Sequence, residues 1–171
     1  MDNVRSIAGV RAPDVRDLRA NIAGQVVVPG DEDWDEARQA WNLAADQRPV
    51  AVAIPENVQD VVEIVNYARE CGLQVAPQGT GHNAPALGSL EHTILLKTHR
   101  MREVSVDPGS RTARVDAGVI WVEVVEAAAE HGLAALAGSS PDVGVVGYTL
   151  GGGLSWLARK HGIGANQVTA V

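Results

Sequence analysis

Leu73-Gln74-Val75-Ala76-Pro77-Gln78-Gly79-Thr80-Gly81-His82-Asn83 runs from a short apolar strand straight into a glycine-rich turn that ends in histidine. Glycines without Cβ let backbone N–H groups approach a diphosphate closely, and a histidine at the rim offers a ring nitrogen. Upstream, the β-branched run over residues 50–54 stops at Pro55 and reads as a core strand. Asn57 then caps a helix in which Val58, Val61, Val62, Val65 and Ala68 recur at spacings of three and four, with Gly72 just past its end. That face of the helix is expected to be buried. Residues 50–76 thus form a β-α-β unit whose glycine loop sits at a strand's carboxyl end, where such sheets bind ligands.

Toward the N-terminus, residues 14–22 read as a short polar helix stopped by Gly24. A strand over 25–28, a Pro29-Gly30 turn and a helix from Asp31 to residue 41 follow. Toward the C-terminus, strands are expected over 93–97 and 102–106, and Asp107-Pro108-Gly109-Ser110 turns the chain into residues 112–115 as a hairpin. A helix over 121–130 carries Val122, Val125 and Ala129 on one face and ends at Gly132. Ser140-Pro141 is expected to open a short helical turn, with serine as its cap. The second glycine-rich stretch comes next, from Val143 through Gly144, Gly147 and Tyr148 to Gly151-Gly152-Gly153. A helix over residues 154–160 is expected to open directly from the triple glycine and aim its free N–H groups at a ligand.

With 171 residues and 46% hydrophobic content, the chain can bury a sizeable core as one domain. A formal net charge of -7 and a pI near 5.1 argue against nucleic acid or an anionic membrane as partner. Its 18 glycines exceed the average share of about 7% and cluster without a period, which suggests ligand-approach loops. The lone Cys71 forms no intrachain disulfide, and no apolar signal core follows Met1, so the expected compartment is the cytoplasm. The apolar residues 133–158 are interrupted by Ser139, Ser140, Pro141 and Asp142 and fall short of a membrane span. Gly147 and Gly151 form only an isolated GxxxG spacing, so a membrane-associated segment ranks last among the readings.

No Lys or Arg occurs between residues 77 and 96 or between 137 and 157, so a bound diphosphate would be held by backbone dipoles. A P-loop is excluded because Leu154 and Ser155, not lysine, follow Gly153. The Rossmann GxGxxG is missing too, since Ala84 stands where the third glycine belongs. Taken alone, His82 is most simply a loop histidine bonded to backbone; the second glycine loop shifts that balance. His92, His99, His131 and His161 lack the spacing of metal ligands, and no metal site is expected. Trp34, Trp41, Trp121 and Trp156 read as packing residues. A serine nucleophile has no elbow motif here.

With these residues in view, the chain resembles the FAD-binding domain of the vanillyl-alcohol oxidase and p-cresol methylhydroxylase (PCMH) superfamily, particularly the berberine-bridge-like oxidases, from about Leu18 onward. Gly79-Thr80-Gly81-His82 matches the first signature. Ala137-Gly138-Ser139-Ser140-Pro141-Asp142-Val143-Gly144, then Gly147, Gly151-Gly152-Gly153 and Arg159-Lys160-His161-Gly162, match the second. The resemblance implies an α+β fold, the FAD-binding type 2 (PCMH-type) domain, with small β-sheets packed against helices. Residues 1–45 would be an entry segment and 46–171 the flavin domain, incomplete and without its substrate domain.

What the resemblance implies for the site is FAD, with His82 carrying an 8α-histidyl bond to the flavin. Gln78, Gly79, Thr80 and Gly81, with Gly151, Gly152 and Gly153, would cradle the diphosphate. Ser139, Ser140, Gly144 and Tyr148 would lie near the flavin ring, Val168 would approach the adenine, and Asn83, Val143 and Gly147 would be further cofactor-binding residues. Ser140 stands where members with two covalent links carry cysteine, so attachment through His82 alone is expected. Asn166 replaces a frequent aspartate and is read as tolerated. The intact enzyme would pass hydride from a small-molecule substrate C–H to flavin N5, with oxygen as acceptor. No catalytic acid or base carries over, and no residue pattern sets an oligomeric state. The competing reading is a non-catalytic or degenerate flavin-binding fragment acting as a structural or partner module.

Overall fold

The computed structural model describes residues 14–171; the first part of the expected entry segment, with the reading of its N-terminus, lies outside the described residues. The main sheet holds β1 (Gln25–Val27), β2 (Ala51–Ile54), β3 (Gln74–Gln78) and β4 (Thr93–Lys97). Its strand order is β1-β2-β4-β3, with β2, β4 and β3 parallel and β1 antiparallel to β2. The expected β-α-β unit is present as β2, α2 (Val58–Cys71) and β3, with β4 inserted between its strands. All four residues of β2 are buried, as a parallel strand covered on both faces requires. One face packs Val26, Ala53, Ile94 and Leu96 against Ile64 and Ala68 of α2. The other buries Val27, Val52, Ile54, Ala76 and Leu95, with Trp34 and Ala37 over them.

α2 begins and ends as its sequence signals say. The Asn57 side chain accepts from the Asp60 amide at 3.0 Å, and Gly72 takes a left-handed φ of 67°. Its buried face differs from the one expected. Asp60, Ile64 and Ala68 are buried, whereas Val58, Val62 and Val65 are exposed, Val58 at 67%. Two apolar stripes overlap on this helix, and the carboxylate on the buried one hides it from a hydropathy count. Asp60 is buried because three backbone amides, those of Ala23, Gly24 and Glu56, donate to it at 2.9 Å each. Burial pushes its pKa up, and those hydrogen bonds outweigh burial and hold it below the usual aspartate value. The bonds tie the start of β1 to the start of α2.

The polar helix expected near the N-terminus is a 3₁₀ turn, Val15–Ala20, capped by Asp14. The helix expected over 31–41 contracts to α1 (Trp34–Ala37). Asp31 does not cap it; its carboxylate accepts from the Val28 amide at 2.8 Å and pairs with Arg19. Lys97 then captures the carbonyls of Ala37 and Gln39 at 2.9 and 2.8 Å, which stops the helix.

A second layer follows the sheet. β5 (Val104–Asp107) and β6 (Thr112–Val115) make the expected antiparallel hairpin, with Asp107 accepting from the Gly109 amide in the turn. α3 (Trp121–Ala129) and α4 (Val145–Leu150) close a satellite core of Val119, Trp121, Val124 and Val145. Pro141 and Asp142 form a plain turn rather than a helical one.

The helix at the triple glycine is reversed from expectation: α4 precedes the glycines, and only α5 (Ala158–His161) forms after them. Gly151 caps α4. The carbonyls of Gly152 and Gly153 then accept from Ala165 and Gly164 at 3.0 and 2.7 Å, so the glycines turn the chain back onto residues 164–165. A Cβ on Gly153 would stand 3.1 Å from the Gly164 Cα. Trp34 and Trp121 pack as expected, but Trp41 and Trp156 are exposed at 58% and 80%. Among the described residues no helix is long and apolar enough to cross a membrane.

Candidate functional site

The first glycine loop leaves β3 where Gln78 pairs with Lys97, at the carboxyl edge shared by the three parallel strands. Gly79 slips beside Ala117, whose carbonyl would lie 3.5 Å from an added Cβ. Gly81 has a φ of +86°, and a Cβ there would stand 2.8 Å from the Ala40 Cβ and 3.0 Å from the Gln78 amide. Gln78 is itself buried against Gly81, and both polar atoms of its side chain are without a hydrogen-bond partner among the described residues. The loop's carbonyls point inward: Thr80 O accepts from Trp41 N at 3.0 Å, and Gly81 O from Ala84 N at 3.1 Å. None of the amides of residues 79–83 donates to another described residue. Five consecutive free donors make the concave cationic nest that a diphosphate needs in a stretch without Lys or Arg.

The second loop meets the first at Gly144, where an added Cβ would lie 3.8 Å from the Thr80 amide nitrogen and hydroxyl. Trp121 N bonds Val143 O and Val145 N bonds Val119 O, which fixes Gly144 beside Ile120. The amides of Gly144, Val146 and Gly147 are left without a partner among the described residues, as the first turn of a helix leaves them. A Cβ on Gly147 would meet nothing within 4 Å. The free amides of this loop therefore lie at the start of α4 and at Gly153. Those of Gly151 and Gly152 are spent on Gly147 O and Thr149 O, which removes these two glycines as amide donors to a diphosphate.

His82 stands where the loops touch. Its Nδ1 is 2.8 Å from Thr80 Oγ1, and its buried Nε2 has no hydrogen-bond partner, the nearest carboxylate oxygen being Asp142 Oδ1 at 3.8 Å. The ring stacks on Trp41 with centroids 3.9 Å apart and planes 16° from parallel. The Trp41 indole N–H donates to Asp142 Oδ2 at 2.8 Å. Sequence reasoning missed Trp41 and Asp142 as parts of this site. Their contact spans 101 residues, and no local pattern signals it.

The other expected residues are placed less centrally. Ser139, Ser140 and Asn83 are exposed at the loop edges. Tyr148 packs edge-on against Trp121 at 5.4 Å, with its ring against Gly138 and Gly153; its hydroxyl has no partner, and burial pushes its pKa up. Val168 follows the 3₁₀ turn Gly164–Gln167, and among the described residues no hydrogen bond joins it to either loop. A cavity of about 560 Å³ opens at the carboxyl edge, lined by Gly79, Thr80, Trp41, Ile54 and Lys97 among others, but not by His82 or the second loop. Among the described residues no cluster of His, Cys, Asp and Glu could hold a metal.

Free loop amides, open space at Gly147 and an unpaired histidine nitrogen fit a flavin dinucleotide. The comparisons agree. The model of an FAD binding domain matches residues 49–171. (R)-6-hydroxynicotine oxidase of Paenarthrobacter nicotinovorans is 32% identical over 148 residues, covering 86% of this chain and 32% of that protein. The structure of Physcomitrella patens BBE-like 1 superposes with a TM-score of 0.81 at 27% identity, over 90% of this chain and 34% of that one. Glucooligosaccharide oxidase from Acremonium strictum, described as carrying a 6-S-cysteinyl, 8α-N1-histidyl FAD, gives 0.75 at 29% identity, over 87% and 32%. The chain spans about a third of the length of the curated relatives it matches. By fold, by site and by these matches, the chain belongs to the FAD binding domain family, in its PCMH-type, berberine-bridge-like branch.

Proposed function

We propose that this chain is the FAD-binding portion of a flavin-dependent oxidase in which His82 tethers the cofactor. One observation carries the reading: two sets of unengaged backbone amides, at residues 79–83 and at Gly144, Val146 and Gly147, flank the point where Thr80 meets Gly144, beside a histidine nitrogen with no partner. The amides would hold the diphosphate and neutralise it without a basic side chain. His82 would bond the flavin's 8α carbon through a ring nitrogen, with loss of the imidazole N–H and of one C–H of the 8α methyl; the two electrons and two protons left on the flavin would pass to oxygen. Bound FAD would supply the redox chemistry, accepting hydride at N5 from a substrate C–H and passing the electrons to oxygen.

This chain's own residues bind and orient. Thr80 holds Nδ1 of His82, and Gly81 bends the loop at a positive φ that leaves the amides of residues 79–83 without an acceptor among the described residues. Gly151, Gly152 and Gly153 serve as the turn that packs residues 164–165 against α4. Ser139, Ser140 and Tyr148 near the flavin ring, and Val168 near the adenine, follow from the family resemblance.

The test is direct. The purified chain, loaded with FAD and precipitated with acid, should keep flavin absorbance in the pellet, and His82→Ala should release it to the supernatant while still binding FAD reversibly. A colourless wild-type protein that ignores added FAD would refute the reading.

A further inference from the structure

Trp41 lies on an irregular stretch after α1 and is 58% exposed, yet three contacts of its own hold it. Its backbone amide donates to Thr80 O of the first glycine loop at 3.0 Å. Its indole N–H donates to Asp142 Oδ2, beside the second loop, at 2.8 Å. Its ring lies flat on His82. Just before it in the chain, Ala37 O and Gln39 O accept from Lys97, which anchors the stretch to β4. Packing alone does not account for this arrangement, because a side chain so exposed gains little from burial. What the contacts share is His82: Trp41 covers its face, Thr80 holds Nδ1, and Asp142, fixed by the indole, stands 3.8 Å from Nε2.

We propose that Trp41 is a positioning residue for His82: with Asp142 it clasps the two glycine loops together and locks the imidazole plane before any flavin binds. The inference rests on the reading of His82 as the flavin tether. Bond formation at a ring nitrogen requires that the ring already face its target, and a misplacement of about 1 Å can cost about a hundredfold in rate. A free imidazole on a glycine loop would sample many orientations; one stacked on an indole and held at Nδ1 samples few.

Two measurements on the full chain test the clasp. In the FAD-free protein, proton NMR should show the His82 ring protons shifted upfield by the stacked indole. Trp41→Ala should abolish that shift, and Trp41→Phe should keep most of it. With FAD added at saturating concentration, Trp41→Ala should slow the appearance of acid-stable flavin by about tenfold to a hundredfold, and Trp41→Phe, which keeps the stack on His82, should recover most of the rate. Unchanged His82 ring protons in Trp41→Ala, or an unchanged rate, would overturn the clasp. Equal slowing in both variants, tracking a common loss of stability, would overturn it as well. If the wild-type chain takes up no acid-stable flavin, the tether reading fails instead, and the NMR comparison still decides whether Trp41 orients His82.

Discussion

Gly81 of the first glycine loop and Gly147 of the second are glycine for opposite reasons. In the first, glycine is demanded by the protein: Gly81 sits at positive φ, and a Cβ there would collide with Ala40 and Gln78. In the second, Gly147 lies inside α4 with ordinary helical backbone, and a Cβ would touch nothing the chain supplies. The first loop is rooted in a sheet buried on both faces, whereas the second rests on a satellite core and leads into exposed Leu150, Leu154 and Trp156. A glycine that packing requires speaks about folding. One that packing ignores, at a helical position that disfavours it, speaks about a ligand.

The largest expected effect lies in the layer beneath the sheet that carries the first loop, where Asp60 joins the start of β1 to the start of α2. Asp60→Ala strips the acceptor from the buried amides of Ala23, Gly24 and Glu56 and should cost about 3–5 kcal/mol, measured by urea unfolding. Because hydrogen bonding holds the native Asp60 pKa below its unfolded value of about 3.9, the stability it contributes is full above that value. It is lost as pH falls through the native value, so wild-type stability should drop in acid with a component that Asp60→Ala lacks. A wild-type acid limb matching that of the variant would show that the carboxylate does not anchor the sheet.

Next comes Gly81→Ala, which combines a left-handed backbone penalty with overpacking and should cost about 2–4 kcal/mol. A variant as stable as wild type would erase the contrast between the loops, because Gly81 would then be as dispensable to folding as Gly147.

Much of this contrast was legible in the sequence, and the illegible parts share a cause. The β-α-β unit, the Asn57 cap, the Gly72 stop and the hairpin were readable because each is a local signal obeyed locally. The buried face of α2 was not, because Asp60 is charged and its three amide partners come from the helix entry and from a segment 36 residues and more away in sequence. The helix expected after the triple glycine failed for a similar reason: residues 164–165 fold back to claim the glycine carbonyls. Trp41 looked like a core tryptophan, since its spacing is helical and its true partners, His82 and Asp142, lie 41 and 101 residues on. Glycine and histidine at residues 79–82 announced the site's chemistry; the groups that orient the histidine are set by tertiary contacts alone.

The smallest expected change in stability separates the two meanings of glycine most sharply, because its sign differs from that of its functional consequence. Gly147→Ala replaces a helix-disfavouring residue in open space and should stabilise the chain by about 0.5–1 kcal/mol. The same methyl group would fill the gap beside the free amides of Gly144, Val146 and Gly147, so FAD binding, followed by quenching of flavin fluorescence, should weaken sharply. Folding and binding would then move in opposite directions from one carbon atom, which a merely structural glycine cannot produce. If Gly147→Ala stabilises the chain and binds FAD as the wild type does, the diphosphate does not lie on the start of α4, and the amides of residues 79–83 must hold it alone.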